Sequence, residues 1–355
     1  MSSRTPGRLL VAVLALLAVL TASCGGAPPG AGPSGDNRIV VYGSTGAIER
    51  IMTETIIPEF ERTHGITVTY RGVASAEALS RVLGQRGRPE ASVVIANDRD
   101  VTRGHLEGVW TRLDPAQIPS LNEIDPAARG EDDHAVSLGI GAVVIAYNAQ
   151  ALAEHGVEPP QSWLDLFHPR FAHRVVIYDY ALGVTPLAMM MVNRAAGGSD
   201  TDFTPGLALL ERHRDQVLAF PVQTAEWDQL FAQGTAWVGP TFSTRVGIAQ
   251  RSGLPLEFTY PREGSPAFHI QAAIPQGAPN PTGAATFIDF LLRPEQQRLQ
   301  AETQFYAPVH PGTTLPPQVA ELVPTDLGRL VTPDNAALIA VHDEVSQRFA
   351  AIVGG

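Results

Sequence analysis

The sequence predicts an α/β protein with a mainly parallel sheet, organised as two domains. Three observations carry that expectation. The 355-residue length corresponds to two domains at roughly 100–200 residues each. Apolar residues make up 44% and charged residues 17% of the chain, the balance of a protein that buries full cores. From Arg38 onward, short apolar runs alternate with amphipathic stretches, the βαβ order of a parallel sheet flanked by helices.

Taken in order, Arg4 and Arg8 precede twelve unbroken apolar residues, Leu9 to Leu20, and Thr21-Ala22-Ser23 then leads to Cys24. Twelve helical residues reach only about 18 Å, short of the roughly 30 Å hydrocarbon core of a bilayer. Residues 1–23 therefore read as a cleaved signal peptide rather than a permanent span. Cys24 is the single cysteine, so no intramolecular disulfide is available to it. Gly25 to Gly35 holds only Gly, Ala, Pro and Ser, the composition of a flexible linker, here taken as residues 24–36.

In the body, strand Arg38–Tyr42 is followed by the turn Gly43–Gly46. A helix over Ala47–His64 comes next, with a break expected before Pro58 and a stop at Gly65. Strand Ile66–Tyr70, helix Ala76–Gln85, strand Ala91–Ala96 and helix Asp98–Glu107 continue the alternation. Val136–Asn148 is a long apolar strand. Beyond it the pattern predicts strand Arg174–Tyr178, helices Val184–Ala196, Pro205–Arg214 and Ala225–Ala232, strand Ala236–Gly239 and helix Ser243–Arg251. Strands Leu256–Tyr260 and Phe268–Ile274 precede helices Pro281–Leu292 and Pro294–Thr303. The proline-punctuated tail ends in a helix over about Asp334–Ile352.

All 25 basic residues are Arg, against 36 acidic ones. Without Lys there is no Schiff-base or P-loop chemistry. Removing residues 1–23 takes two Arg away and moves the formal charge from −11 to −13, which argues against nucleic-acid binding. Gly43–Glu49 lacks the third glycine of a dinucleotide fingerprint, and no Gly-x-Ser-x-Gly elbow is present. The ten histidines are scattered. His168 and His173 lack a companion pair, and Glu131–His134 reads as a solvated loop, so no metal, cofactor or catalytic residue is expected.

Ligands of open α/β sheets sit at loops beyond the carboxyl ends of strands. Four loops qualify. Ser44, Thr45 and Gly46 offer hydroxyls and amides at a helix start, either as an anion site or as a plain helix cap. Asn97 and Asp98 end a strand, Asp98 being either a ligand contact or an N-cap. Asp179, Tyr180 and Gly183 precede the helix that carries Met189–Met191. Thr241 and Ser243 precede a helix on which Arg245 is either an anion fork or a surface charge.

Several segments together resemble the solute-binding components of bacterial ABC importers. They are Pro58–Val68, Gly139–Asn148, Tyr260–Gly264 and Ala273–Asn280 continued by Ala284–Gln296. The resembled cluster serves polyamines, ferric iron, thiamine, phosphonates and sugar phosphates, and the match covers roughly residues 38–311. It implies a periplasmic-binding-protein type II fold, with a ligand cleft between two domains joined by crossing strands near Ser137–Tyr147 and Leu256–Arg262. Domain 1 would comprise 37–138 plus 262–313 and domain 2 residues 139–261, with 314–355 a helical tail.

Leu20–Cys24 resembles a lipobox, which implies a diacylated Cys24 and a monomer lipid-anchored at the outer face of the cell membrane, or on the periplasmic side in a two-membrane bacterium. The implied partners are a small-molecule ligand and the ABC permease and ATPase subunits, or a sensor in place of the importer. Ferric-binding relatives place two tyrosines near Thr241–Ser243, and no Tyr-Tyr pair occurs here. Polyamine-binding relatives carry Trp-x-Asp where Phe268-His269-Ile270 stands, so Phe268 keeps only an aromatic face. Hydroxyl-bearing loops at helix starts then favour a phosphorylated, phosphonate or carboxylate anion; a polyamine or ferric-iron receptor is the alternative.

Overall fold

The computed structural model describes residues 37–324 and 327–354. The expected signal peptide, Cys24 and the expected linker lie outside the described residues.

The strands are β1 (Arg38–Gly43), β2 (Thr67–Gly72), β3 (Val93–Asn97), β4 (Trp110–Thr111), β5 (Val136–Asn148) and β6 (Val175–Val176). They continue with β7 (Val217–Ala219), β8 (Val238–Phe242), β9 (Leu256–Thr259), β10 (Ser265–Pro275) and β11 (Leu330–Val331). The helices are α1 (Ala47–Ile51), α2 (Ile57–His64), α3 (Ser75–Gly84), α4 (Asp98–Leu106), α5 (Ala149–His155), α6 (Val184–Ala195) and α7 (Thr204–His213). After them come α8 (Thr224–Ala232), α9 (Ser243–Arg251), α10 (Pro281–Leu292), α11 (Pro294–Gln304), α12 (Pro317–Ala320) and α13 (Asn335–Gly354).

One mixed sheet runs in the order β2-β1-β3-β10-β5-β8-β6-β7, with β11 and β4 on β10 and β9 on β5. β1 is parallel to β2 and β3, and β6 to β7 and β8, as βαβ alternation requires. The antiparallel members are β10 and β5 at the centre. β10 pairs with β3 on one side and with the first half of β5 on the other. The second half of β5 pairs with β8 and β9.

All thirteen residues of β5 are buried, which explains why it reads as a continuous apolar run instead of an alternating one. Its two halves belong to different cores. Ala142 to Tyr147 pack with Trp163, Phe171, Met189–Met191, Trp227 and Phe231. Val136, Leu138 and Ile140 pack with Ile39, Phe60, Val93, Phe287 and Ile288. The chain thus has the two-part α/β form expected, with β5 crossing from one part to the other and the chain returning between β9 and β10.

Pro58 does not break the first helix. Met52–Ile56 form a π-helical turn between α1 and α2, and Pro58 takes one of the first two positions of α2, where its missing N–H costs little. Gly65 ends α2 in the left-handed conformation, φ 66°. The expected strand over Arg174–Tyr178 shrinks to β6. Past it, Ile177 and Asp179 donate to Ala219 and Pro221 across a shifted register.

Candidate ligand-binding site

A cavity of about 60 Å³ lies where the loop after β3, the start of α6, the end of β8, β10 and the start of α13 meet. Its walls are Asn97, Asp98, Arg99, Gly183, Pro186 and Leu187 together with Phe242, Phe268, Asn335, Leu338 and His342. A larger open depression of about 600 Å³ lies between the turn at Trp163–Phe167 and α7, away from the strand-end loops at which such folds bind.

The N-cap position that Asp98 could have taken belongs to its neighbour. Asn97 takes the N-cap, accepting from the Asp100 amide at 3.0 Å. Asp98 is left at 9% exposure. Its carboxylate accepts from the Arg99 amide at 3.0 Å, from the Asn335 side chain and from the His269 backbone amide. Burial nevertheless dominates and pushes its pKa up to about 6. An anionic carboxylate here is short of a positive partner.

The apolar wall is an aromatic pair. Phe242 and Phe268 have ring centroids 4.4 Å apart at 50°, and Tyr306 meets Phe268 edge-on at 5.9 Å. Behind Phe268, β10 lies beside β5, with Phe268 opposite Gly141. His269 points to the other side of β10, where its Nδ1 and Ser137 Oγ share a 2.7 Å hydrogen bond. Burial lowers its pKa to about 4, so the ring is neutral at pH 7.

Of the residues expected at a ligand, Asn97, Gly183 and Phe268 come together at this cavity. Ser44, Thr45, Gly46, Asp179, Tyr180, Thr241 and Ser243 lie outside its lining. Thr45 and Gly46 are exposed, and the Ser44 carbonyl accepts from Tyr70 Oη at 2.8 Å. Asp179 caps its own turn through the Ala181 amide at 2.9 Å. Tyr180 packs its ring against His342 and Phe349 of α13, each at 5.5 Å. Thr241 is fully buried, and Ser243 Oγ accepts from the Ala142 amide of β5 at 3.2 Å.

Asn335, Leu338 and His342 went unnoticed in the sequence. They recur at spacings of three and four, so α13 presents them as one stripe. That stripe was visible, but nothing in the sequence says which surface it covers. α13 reaches α4 on one side and α7 on the other.

A profile of the bacterial extracellular solute-binding proteins matches residues 55–325. The chain belongs to that family. It is 24% identical over 257 residues to a spermidine/putrescine-binding periplasmic protein of Salmonella typhimurium, covering 71% of this chain and 72% of that one. It is 27% identical over 328 residues to a γ-aminobutyric acid-binding protein of Pseudomonas aeruginosa, covering 88% and 90%. Among solved structures, an extracellular solute-binding protein from Bordetella parapertussis superposes with a TM-score of 0.78 at 20% identity, covering 90% of this chain and 99% of that one. The fold is therefore that of the periplasmic binding proteins, and the chain is a solute-binding protein of transport.

Proposed function

We propose that this protein captures a small amine-bearing solute in the cavity at Asp98 and hands it to the permease of an ABC importer. The observation that carries the reading is the buried Asp98 carboxylate beside the Phe242–Phe268 pair. An ammonium group would supply the missing positive charge, and a short methylene chain would lie on the ring faces. The relatives that bind spermidine, putrescine and γ-aminobutyrate support the same chemistry. The aspartate missing at Ile270 has its counterpart in Asp98, from a different loop.

The anion expected from the hydroxyl-bearing loops finds no support at this cavity. Asp98 opposes a second negative charge, and the hydroxyls of Thr241 and Ser243 are enclosed in the packing around β8. One part of that expectation keeps a specific basis. Arg99 also lines the cavity, and a guanidinium in the same lining as an ammonium subsite suits a ligand that ends in a carboxylate. An ω-amino acid is the second reading, and a diamine the first.

The proposed delivery follows the fold: two parts joined through β5 and the return between β9 and β10, closing on solute by hinge motion. The division at 138/139 and 261/262, the tail from 314, a lipid on Cys24 and a monomeric state complete the proposal. Isothermal titration with putrescine, spermidine, γ-aminobutyrate and a phosphonate tests it. Saturable binding of an amine that is lost in Asp98→Asn is the expected result. Binding of the phosphonate alone would overturn the reading.

A further inference from the structure

The loop before β5 carries Asp132 and His134, and the last turn of α4 carries His105. The two histidines are 29 positions apart in the sequence, which hid their relationship. In the structure one nitrogen of each imidazole and one carboxylate oxygen of Asp132 lie within 4.8 Å of one another. His105 Nε2 stands 3.8 Å from Asp132 Oδ2. The imidazole rings have centroids 4.8 Å apart at 53°, tilted rather than stacked. His134 Nδ1 is buried and has no hydrogen-bond partner.

We propose that His105, Asp132 and His134 form a binding site for one borderline divalent cation, zinc in the first instance. Two imidazoles and a carboxylate are a donor set for zinc, which binds nitrogen and oxygen at about 2.0–2.2 Å in a tetrahedron. The ligand atoms need to close by about an ångström or more to reach that geometry. Asp132 has room to do so, since its side chain is 76% exposed. That exposure leaves the fourth position to water. Calcium and magnesium prefer six or more oxygens, which this site does not offer. Ferrous iron accepts the same three donors but binds more weakly than zinc in the Irving–Williams order.

Arg112 and Arg129 both pair with Asp133, at 3.0 and 2.7 Å, so the adjacent carboxylate holds both guanidinium heads on itself and offsets one of their two charges. Among the described residues, Asp132 makes its ion pair with His105. A bound cation would clip the end of α4 to the loop that enters β5. The clip is independent of the ligand proposed for the cavity.

The test uses untagged full-length protein stripped of metal with a chelator, titrated with zinc chloride by calorimetry and with cobalt(II) by absorption. One zinc per chain, a rise in Tm on loading and the visible band of tetrahedral cobalt are expected. His105→Ala and His134→Ala should each abolish binding, and Asp132→Asn should weaken it tenfold or more. Circular dichroism checks the fold of each variant. The wild type supplies a readout without substitution: zinc should shift two imidazole signals among the ten histidines in proton–nitrogen spectra. No zinc binding by the wild type, or binding that survives in the His105→Ala/His134→Ala double variant, overturns the proposal.

Discussion

Gly141 and Phe268 face each other across β5 and β10, and a β-carbon on Gly141 would stand only 2.1 Å from the edge of the Phe268 ring. The absence of a side chain on one strand thus sets where the aromatic wall stands on the next. The ring in turn touches Phe242 of the cavity wall and Tyr306 behind it, so one hydrogen atom at Gly141 helps to position the aromatic pair at the cavity. Gly141→Ala should cost about 1–3 kcal/mol by overpacking and weaken solute binding at the same time. Urea unfolding and calorimetry on the same preparation check both effects. Full affinity in Gly141→Ala would separate Phe268 from the ligand site.

Amine binding should depend on pH through Asp98. Its carboxyl titrates near 6 in the folded chain, and an ammonium group is attracted to the ionised form alone. Affinity should therefore rise as pH increases from about 5 to 7 and level off above. Asp98→Asn should lower affinity at least tenfold and remove the slope, as measured by titration calorimetry at several pH values.

Stability carries two opposing slopes in the same range. The pKa of Asp98 rises from 3.8 to about 6 on folding, so between those values the folded chain holds the extra proton and stability falls as pH increases. The pKa of His269 falls from 6.5 to about 4. There the unfolded chain holds the extra proton, and stability is lost as pH drops from 6.5 towards 4. His269→Gln should consequently gain stability relative to wild type on acidification over that window, and Asp98→Asn should lose it. Urea midpoints between pH 4 and 7 distinguish them, and parallel curves for all three proteins would contradict both assignments.

The tail helix should be part of the folded unit. Phe349 is fully buried against Tyr180 and Phe220. Phe349→Ala should cost about 3–5 kcal/mol. A chain truncated before Asn335 should lose more, along with the hydrogen bond to Asp98. An unchanged urea midpoint in Phe349→Ala would show that α13 is not held in this position.

Anchoring through Cys24 predicts that Cys24→Ser is exported but incorporates no labelled palmitate and partitions into the aqueous phase of a detergent extraction. Equal labelling of both proteins would remove the lipid from the proposal.

What the sequence makes legible follows the range of the forces involved. β5, α9 and α10 keep the bounds that periodicity and flanking Pro and Gly predict, because local burial and capping decide them. β6 falls short because its length depends on a shifted register with β7, whose partners lie over forty residues away. Pro58 misleads because a π-turn absorbs the missing amide, which needs the packing of Met52 and Ile56 to hold it. Asn97 and Asp98 are both capable caps, and only the structure shows which side chain turns inward. The least legible part is α13: its stripe is in the sequence, but the surface it meets comes from α4, α6 and α7.

The position of β10 has a consequence for how the chain is assembled. β10 lies between β3 and β5, although more than 160 residues separate it from β3. The core around Trp163, Met189–Met191 and Trp227 is drawn mostly from the uninterrupted stretch 142–256. The core around Ile39, Phe60 and Val93 must wait for residues up to Val309. As the chain emerges, the later stretch can pack the bulk of its core, leaving only the places of Leu338, Val345 and Phe349 for α13, while the earlier one is still an open half-sheet whose inner edge stays unpaired until β10 slots in. Pulse-labelled exchange should find residues 142–256 protected first, an order of assembly that runs against the order of synthesis.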